Sequence, residues 1–200
     1  MRKFLPWIVV GGLLLITVFW FVSIKNGAVR NNQDVNKEWG NVETSYQRRN
    51  DLIGNLVETV KGAADFEKST LEAVTSARAS ASQVKIDPTN ITPDQLAQFN
   101  KAQSGVSSSL SRLLVTVENY PNLKANENFL KLQDELASTE NQILTARTRF
   151  NEAVQKYNNY ILVFPNSMFL GNYKEKPYFD AVAGAEKPVD VKFNFSNDKK

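Results

Sequence analysis

Between Phe4 and Ile24 the chain carries no charged residue, and from Trp7 onward only Gly11, Gly12, Thr17 and Ser23 interrupt the apolar run. A stretch of that length has few ways to fold. About 20 helical residues rise about 30 Å, the thickness of a bilayer's hydrocarbon core. Trp7 stands near one end of the run, and Trp20 and Phe21 near the other, where aromatic rings favour the membrane interface. The run is longer than the apolar segment of a secretory signal peptide, and no A-x-A-like cleavage site follows it. Cleavage after Ala28 would place Asn26 at the −3 position. The expectation is an uncleaved single-pass anchor at residues 4–24, behind a short basic head at residues 1–3. Arg2 and Lys3 precede the span; Lys25 and Arg30 follow it, with Asp34 beyond. The positive-inside comparison is therefore nearly a tie. The very short basic head resembles a signal anchor, which points to a cytoplasmic amino end with the remainder outside.

Past the anchor the pattern changes to heptad stepping. Val35, Trp39, Val42, Tyr46, Arg49, Ile53, Leu56 and Val60 alternate steps of four and three, a helical seam with one charged member. Gly62 and Ala63-Ala64-Asp65 suggest a break. A second helix is expected from about Phe66, with Leu71, Val74, Ala77, Ala81 and Val84 on one side. Asp87-Pro88 and Thr92-Pro93 punctuate a loop. Thr92 is placed to cap the next helix, with Pro93 at its first position and Gln95 completing a capping box. That third helix reads Leu96, Phe99, Gln103, Val106, Leu110, Leu113, Val117 and Tyr120, and Pro121 stops it. A fourth, from about Ala125 to Phe164, carries Phe129, Leu132, Leu136, Thr139, Ile143, Ala146, Phe150, Ala153, Tyr157, Tyr160 and Phe164. At about 1.5 Å per residue it would be a rod of about 60 Å. Such stepping favours knobs-into-holes packing of coiled-coil type. The short link at 120–124 predicts that the third and fourth helices are antiparallel neighbours.

The fold class expected is therefore all-α: one N-terminal transmembrane helix, an antiparallel, mainly four-helix bundle over residues 25–165, and an irregular or disordered tail over 166–200. Val189, Val191, Phe193 and Phe195 alternate with polar residues and could form a strand. A lone strand has nothing in the chain to pair with, so disorder is expected there, ahead of addition to a partner's sheet.

The chain contains no cysteine and no histidine. Disulfides, thiolate metal sites, cysteine nucleophiles, Ser-His-Asp triads and imidazole ligands are all excluded on that ground. The net charge is +3, but Arg2 and Lys3 account for most of the excess. The remainder is nearly neutral, with both signs mixed along the helices and no basic stripe, so nucleic acid is not an expected partner. Ser82-x-x-Lys85 spells the S-x-x-K of serine acylases without its companion motifs. Asn90-Ile91-Thr92 and Asn194-Phe195-Ser196 spell glycosylation sequons, which would mean little if the source is bacterial.

Two blocks carry a resemblance. The first runs from Trp39-x-Asn41-Val42 through Tyr46-Gln47-Arg48-Arg49-Asn50-Asp51-Leu52-Ile53 and Asn55-Leu56-Val57-x-Thr59-Val60-Lys61-Gly62 to Glu67 and Thr70-Leu71-Glu72. The second is Glu118-x-Tyr120-Pro121-x-Leu123-Lys124-Ala125-Asn126, followed by Phe129-Leu130-x-Leu132-Gln133-x-Glu135-Leu136 and Thr139-Glu140-Asn141, and it continues to Phe164-Pro165. Together they resemble the LemA family of bacterial proteins over the anchor and residues 30–170. Gly54 and Phe66 depart from the family pattern, which often has proline and histidine there. The resemblance implies a membrane-tethered, mainly antiparallel helical bundle and brings no reaction with it. Residues from about 171 on read as a lineage-specific tail.

Two candidate sites follow. A charged seam residue needs partners, because an unpaired buried charge costs several kcal/mol. A polar layer is therefore expected from Arg48, Arg49, Asp51, Asn55, Glu140 and Asn141, serving either as a register-fixing network or as a ligand or partner site. The dense turn containing Tyr120, Pro121, Asn122, Lys124 and Asn126 reads as tight helix-hairpin chemistry or as an exposed docking tip. No residue set points to catalysis, a cofactor or a metal. The expected role is a non-enzymatic scaffold or adaptor in the bacterial cytoplasmic membrane. It would recruit unidentified protein partners, or form a homo-oligomer through its surface heptad faces. The alternative is a ligand-binding or accessory enzymatic domain using carboxylate and arginine residues in the bundle.

Overall fold

The computed structural model describes residues 5–62 and 66–180, and among these the chain is helical with no strand. Helix α1 spans Leu5–Lys61 without interruption, 57 residues and about 85 Å. It is followed by α2 (Lys68–Gln83), α3 (Pro93–Val117), the single turn α4 (Pro121–Lys124) and α5 (Glu127–Leu162). The expected break after Lys61 reduces, among described residues, to a turn at Gly62; the strand-like alternation at 189–195 lies outside them.

Every seam residue named on α1, from Val35 to Val60, is buried, and so are the seam residues of α3 from Leu96 to Val117; α3 ends there, so Tyr120, expected as its last seam residue, lies beyond it and is half-buried. The Thr92 capping box forms on both sides: Gln95 N–H donates to the Thr92 hydroxyl at 3.2 Å, and Thr92 N–H to the Gln95 side chain at 3.0 Å. On α5 the buried stripe follows the stated positions to Phe150, apart from the half-buried Leu132; beyond it Tyr157 is buried as expected and Ala153 and Tyr160 are half-buried, while Val154, Asn158 and Ile161 join the core. The helix ends at Leu162, so Phe164 lies outside it and is exposed.

Four helices share two contiguous cores, one below the other. The most extensive backbone contacts are α1 with α5 and α2 with α3, rather than between the two helices joined by the 120–126 turn. Both pairs are antiparallel: Ile24 meets Tyr160 and Arg49 meets Glu140 across the first, and Phe66 meets Tyr120 across the second.

The first 18 or so residues of α1 form the described segment long and apolar enough to cross a membrane, and its large side chains from Trp7 to Val22 stand exposed. A core helix of a soluble protein would bury them. The same helix then enters the core with no linker. Ile24, Ala28 and Asn31 extend the α1 seam toward the span in steps of four and three, and all three are buried. Ala28 is completely covered, so cleavage behind it would strip a structural turn from the bundle.

Residues 166–180 are irregular but not loose. Leu170, Lys176 and Phe179 are buried, and the segment lies as a strap along α5. Asn158 donates to the Lys176 carbonyl and accepts from its N–H, both at 2.9 Å. One heptad earlier, Asn151 grips Phe179 in the same way at 3.0 and 2.8 Å. The strap's ring is thereby placed against Trp39, Phe99 and Phe150. Disorder of the tail is thus not what residues 166–180 show.

The α1–α5 contact depends on Gly27, where a Cβ would collide with the Tyr160 hydroxyl; that hydroxyl donates to the Ile24 carbonyl at 3.1 Å. Gly105 on α3 has open space around it. Gly27→Ala is expected to lower stability by about 1–3 kcal/mol by overpacking. Gly105→Ala should raise it by about 0.5–1 kcal/mol through helix propensity. Denaturant midpoints of the two variants compare them directly.

Candidate functional site

Arg49 is the one charged residue in the α1 seam, and its side chain is 3% exposed. Its Nη2 donates to the Gln103 side-chain oxygen at 2.5 Å. Its Nη1 reaches Ser107 Oγ at 3.2 Å and Glu140 Oε1 at 3.1 Å. The guanidinium also lies over the Tyr46 ring, 4.9 Å from its centroid. Burial raises the Tyr46 pKa, and nearby Arg147 and Arg49 oppose that rise. Three helices thus converge on one cation: α1 supplies it, α3 gives neutral acceptors, and α5 gives a carboxylate that is 46% exposed.

The layer differs from the one expected. Arg49 and Glu140 meet, whereas Arg48, Asp51, Asn55 and Asn141 are exposed. Arg48, Asp51 and Asn55 line an open groove of about 670 Å³ between α1 and the α2–α3 pair, and Asp51 accepts from Gln47 at 2.9 Å. Asn141 lines a separate groove between α1 and α5, with Asn41 and Arg149. Sequence reasoning missed Gln103 and Ser107 as partners. Gln103 was visible as the one polar member of the α3 seam, but only the superposition of three helices makes it the acceptor for Arg49.

Asn50, buried beside the groove, has no hydrogen-bond partner for its Oδ1 among the described residues; the same holds for Arg49 Nε and Trp39 Nε1. Among the described residues no group of three or more acidic side chains is placed to hold a metal ion. The Ser82 hydroxyl donates back to the Arg78 carbonyl at 3.0 Å, and Lys85 is exposed beyond the end of α2. Nothing there activates a nucleophile. What the mid-bundle layer does chemically is neutralise and hydrogen-bond one buried cation.

The 120–126 turn is a one-turn helix between two caps. Pro121 starts it, Leu123 plugs the core, and the Asn126 side chain caps α5 by accepting from Asn128 N–H at 3.0 Å and Phe129 N–H at 3.1 Å. Pro121, Asn122, Lys124 and Asn126 are exposed, while Tyr120 is half-buried with its ring 4.9 Å from that of Phe66. The turn sits at the end of the bundle opposite the apolar span. Ile24 and Lys61 bound the intervening part of α1, about 55 Å of helix.

Replacing Arg49 by Leu leaves Gln103 without its partner in the core, and the expected loss of stability is about 1–3 kcal/mol. The double variant Arg49→Leu with Gln103→Leu should recover at least half of it. Glu140→Gln should cost less than about 1 kcal/mol, because that carboxylate is half in water. Separately, Asn158→Ala leaves the Lys176 backbone amide unpaired, and hydrogen exchange over 174–180 should speed up by at least tenfold while α3 is unaffected.

Most of the chain is similar to known sequences. The LemA family profile matches residues 38–193. It therefore continues through the strap and past residue 171, so that region is not specific to one lineage. A protein named LemA from Metamycoplasma hominis is 25% identical over 154 residues, covering 76% of this chain and 67% of its own length. Magnetosome protein MamQ 2 of Paramagnetospirillum magneticum is 25% identical over 183 residues, with coverage of 82% and 67%. Magnetosome protein MamQ of Magnetospirillum gryphiswaldense is 25% identical over 184 residues, with the same coverage. With a family match over most of its length, including both polar clusters and the strap, this chain belongs to the LemA family.

Proposed function

We propose that the protein is a membrane-anchored, non-enzymatic helical scaffold that recruits protein partners or self-associates at the membrane. Residues 4–24 cross the bacterial cytoplasmic membrane once, and the bundle that begins at residue 25 stands outside the cytoplasm. The observation that carries this reading is the continuity of α1. An exposed apolar stretch and a buried seam belong to one helix of 57 residues. A flexible linker would leave the bundle's height and tilt free; a helix clasped by α5 holds the 120–126 turn at a set distance from the bilayer. That turn, with Pro121, Asn122, Lys124 and Asn126 exposed, is the proposed docking tip, since exposed loops on rigid elements are where recognition concentrates. Arg49 and its partners act in this reading as the device that keeps the helices in register.

Full-length protein should stay in the membrane pellet through alkaline carbonate extraction, and release into the supernatant would overturn the anchor. A carboxy-terminal tag should be lost when intact cells or spheroplasts are shaved with protease; protection until lysis places the bundle in the cytoplasm. Against a panel of metabolites and metal ions, Tm should move by less than about 2 °C. A single compound that raises it well beyond that, by binding the native state, would favour a ligand receptor over a scaffold.

A further inference from the structure

The bundle's membrane-proximal end carries an apolar surface that the scaffold reading leaves unused. Beyond Leu162 the chain turns through Val163, Phe164 and Pro165, a short 3₁₀ turn at Asn166–Met168, and Phe169 before Leu170 enters the core. Phe164 is 75% and Met168 70% exposed, with Leu162 and Val163 also open. No charged residue occurs between Lys156 and Lys174.

Two contacts set the level of this turn against α1. The Tyr160 hydroxyl is bonded to the Ile24 carbonyl, and the Phe169 ring meets Trp20 and Phe21 edge-on, at 5.6 and 5.7 Å between centroids. The turn therefore lies beside the last turn of the apolar span, and its exposed side chains continue the span's own exposed surface. Lys25, whose ammonium sits 5.0 Å from the Phe21 ring centroid, is the first charge past that level on α1.

Most backbone N–H groups of the turn are also satisfied internally. Irregular chain is tolerated near hydrocarbon only when its polar groups are satisfied internally. Val163 N–H bonds to Asn159, Ser167 N–H to Val163, Met168 N–H to Pro165, and the N–H groups of Phe169 and Leu170 to Asn166, at 2.9–3.2 Å. Pro165 has no N–H, and the Asn166 side chain donates to the Tyr160 carbonyl at 3.0 Å.

We infer that residues 162–169 are a second membrane element: an apolar foot that enters the lipid interface next to the span and fixes the bundle's tilt at a second point. This rests on the reading of residues 4–24 as a membrane anchor. The occupant of the surface is lipid, because the patch is continuous with the span and any other partner would have to reach it at that same depth.

The absence of cysteine makes the test clean. Full-length variants Phe164→Cys, Met168→Cys, Leu144→Cys and Leu14→Cys, each carrying one environment-sensitive fluorophore, are reconstituted in phosphatidylcholine–phosphatidylglycerol vesicles. Leu144 is 64% exposed in the middle of α5 and serves as the water-facing reference. Lipids spin-labelled near the headgroup should quench positions 164 and 168 at least threefold more than 144, and deeply labelled lipids should quench position 14. Quenching at 14 but no more at 164 and 168 than at 144 would leave the anchor standing and remove the foot. Absence of quenching at 14 as well would remove both. Efficient disulfide cross-linking between copies of the unlabelled Phe164→Cys variant, without lipid quenching of the labelled one, would assign the surface to a second copy and overturn the proposal.

Discussion

The antiparallel clasp of α1 by α5 is the contact on which the remaining structure depends. An isolated 57-residue helix has no reason to stay straight, and most helical stability in proteins comes from an amphipathic face finding a partner. Here α5 covers α1 from Ile24 at the span to Arg49 in the middle of the bundle. The same contact closes the gap between a membrane-sized apolar segment and a water-soluble core. Gly27 permits the approach, and the Tyr160 hydroxyl takes up a carbonyl where the two helices meet.

Most polar groups inside this clasp are buried where a partner is waiting. Arg49 meets acceptors from α3 and α5 at one level. Asn151 and Asn158, one heptad apart, hold the backbone of the strap rather than its side chains. The strap buries Lys176, whose ammonium donates to the Pro88 carbonyl at 2.7 Å. Desolvation holds the Lys176 pKa below the ordinary lysine value, and Asp87 partly offsets that. The strap thereby ties the end of α5 to the loop before α3, two parts of the chain that the helices alone would leave apart.

This arrangement suits a protein whose work is positional. Its conspicuous surfaces are an apolar one where the bundle meets the span and a small polar turn at the far end, about 55 Å away along α1. Between them the polar layer has one buried cation held by neighbours from two other helices. The open groove beside it is lined by Arg48, Asp51 and Asn55 together with Ser82 and Lys85, and the Ser82 hydroxyl is turned back to the Arg78 carbonyl. Membership of the LemA family accounts for the architecture, and the proposed scaffold role follows from the rigidity of the connection.

Local patterns determined a good part of this molecule by themselves. The uncharged run at the amino end, the α1 seam, the α3 seam to Val117 and the Thr92 capping box each depend on residues within a turn or two, so composition and spacing suffice; α3 itself ends at Val117, ahead of the stop expected at Pro121. Tertiary structure decided what depends on distant partners. Ile24, Ala28 and Asn31 continue the steps of four and three, but spacing beside an apolar anchor does not say what covers them, and the clasp by α5 brings this part of α1 into the core. Arg49 announced a need for partners, but Gln103 and Ser107 lie 54 and 58 residues away. The choice among nearby acids was settled by helix rotation: Glu140 faces inward far enough to reach it, and Asp51 does not. The strap was the least legible part, because its order comes from side chains of α5 bonding to a backbone that has no periodicity of its own. Periodicity reports which face of an element is apolar; it contains no information about which irregular segment that face will hold.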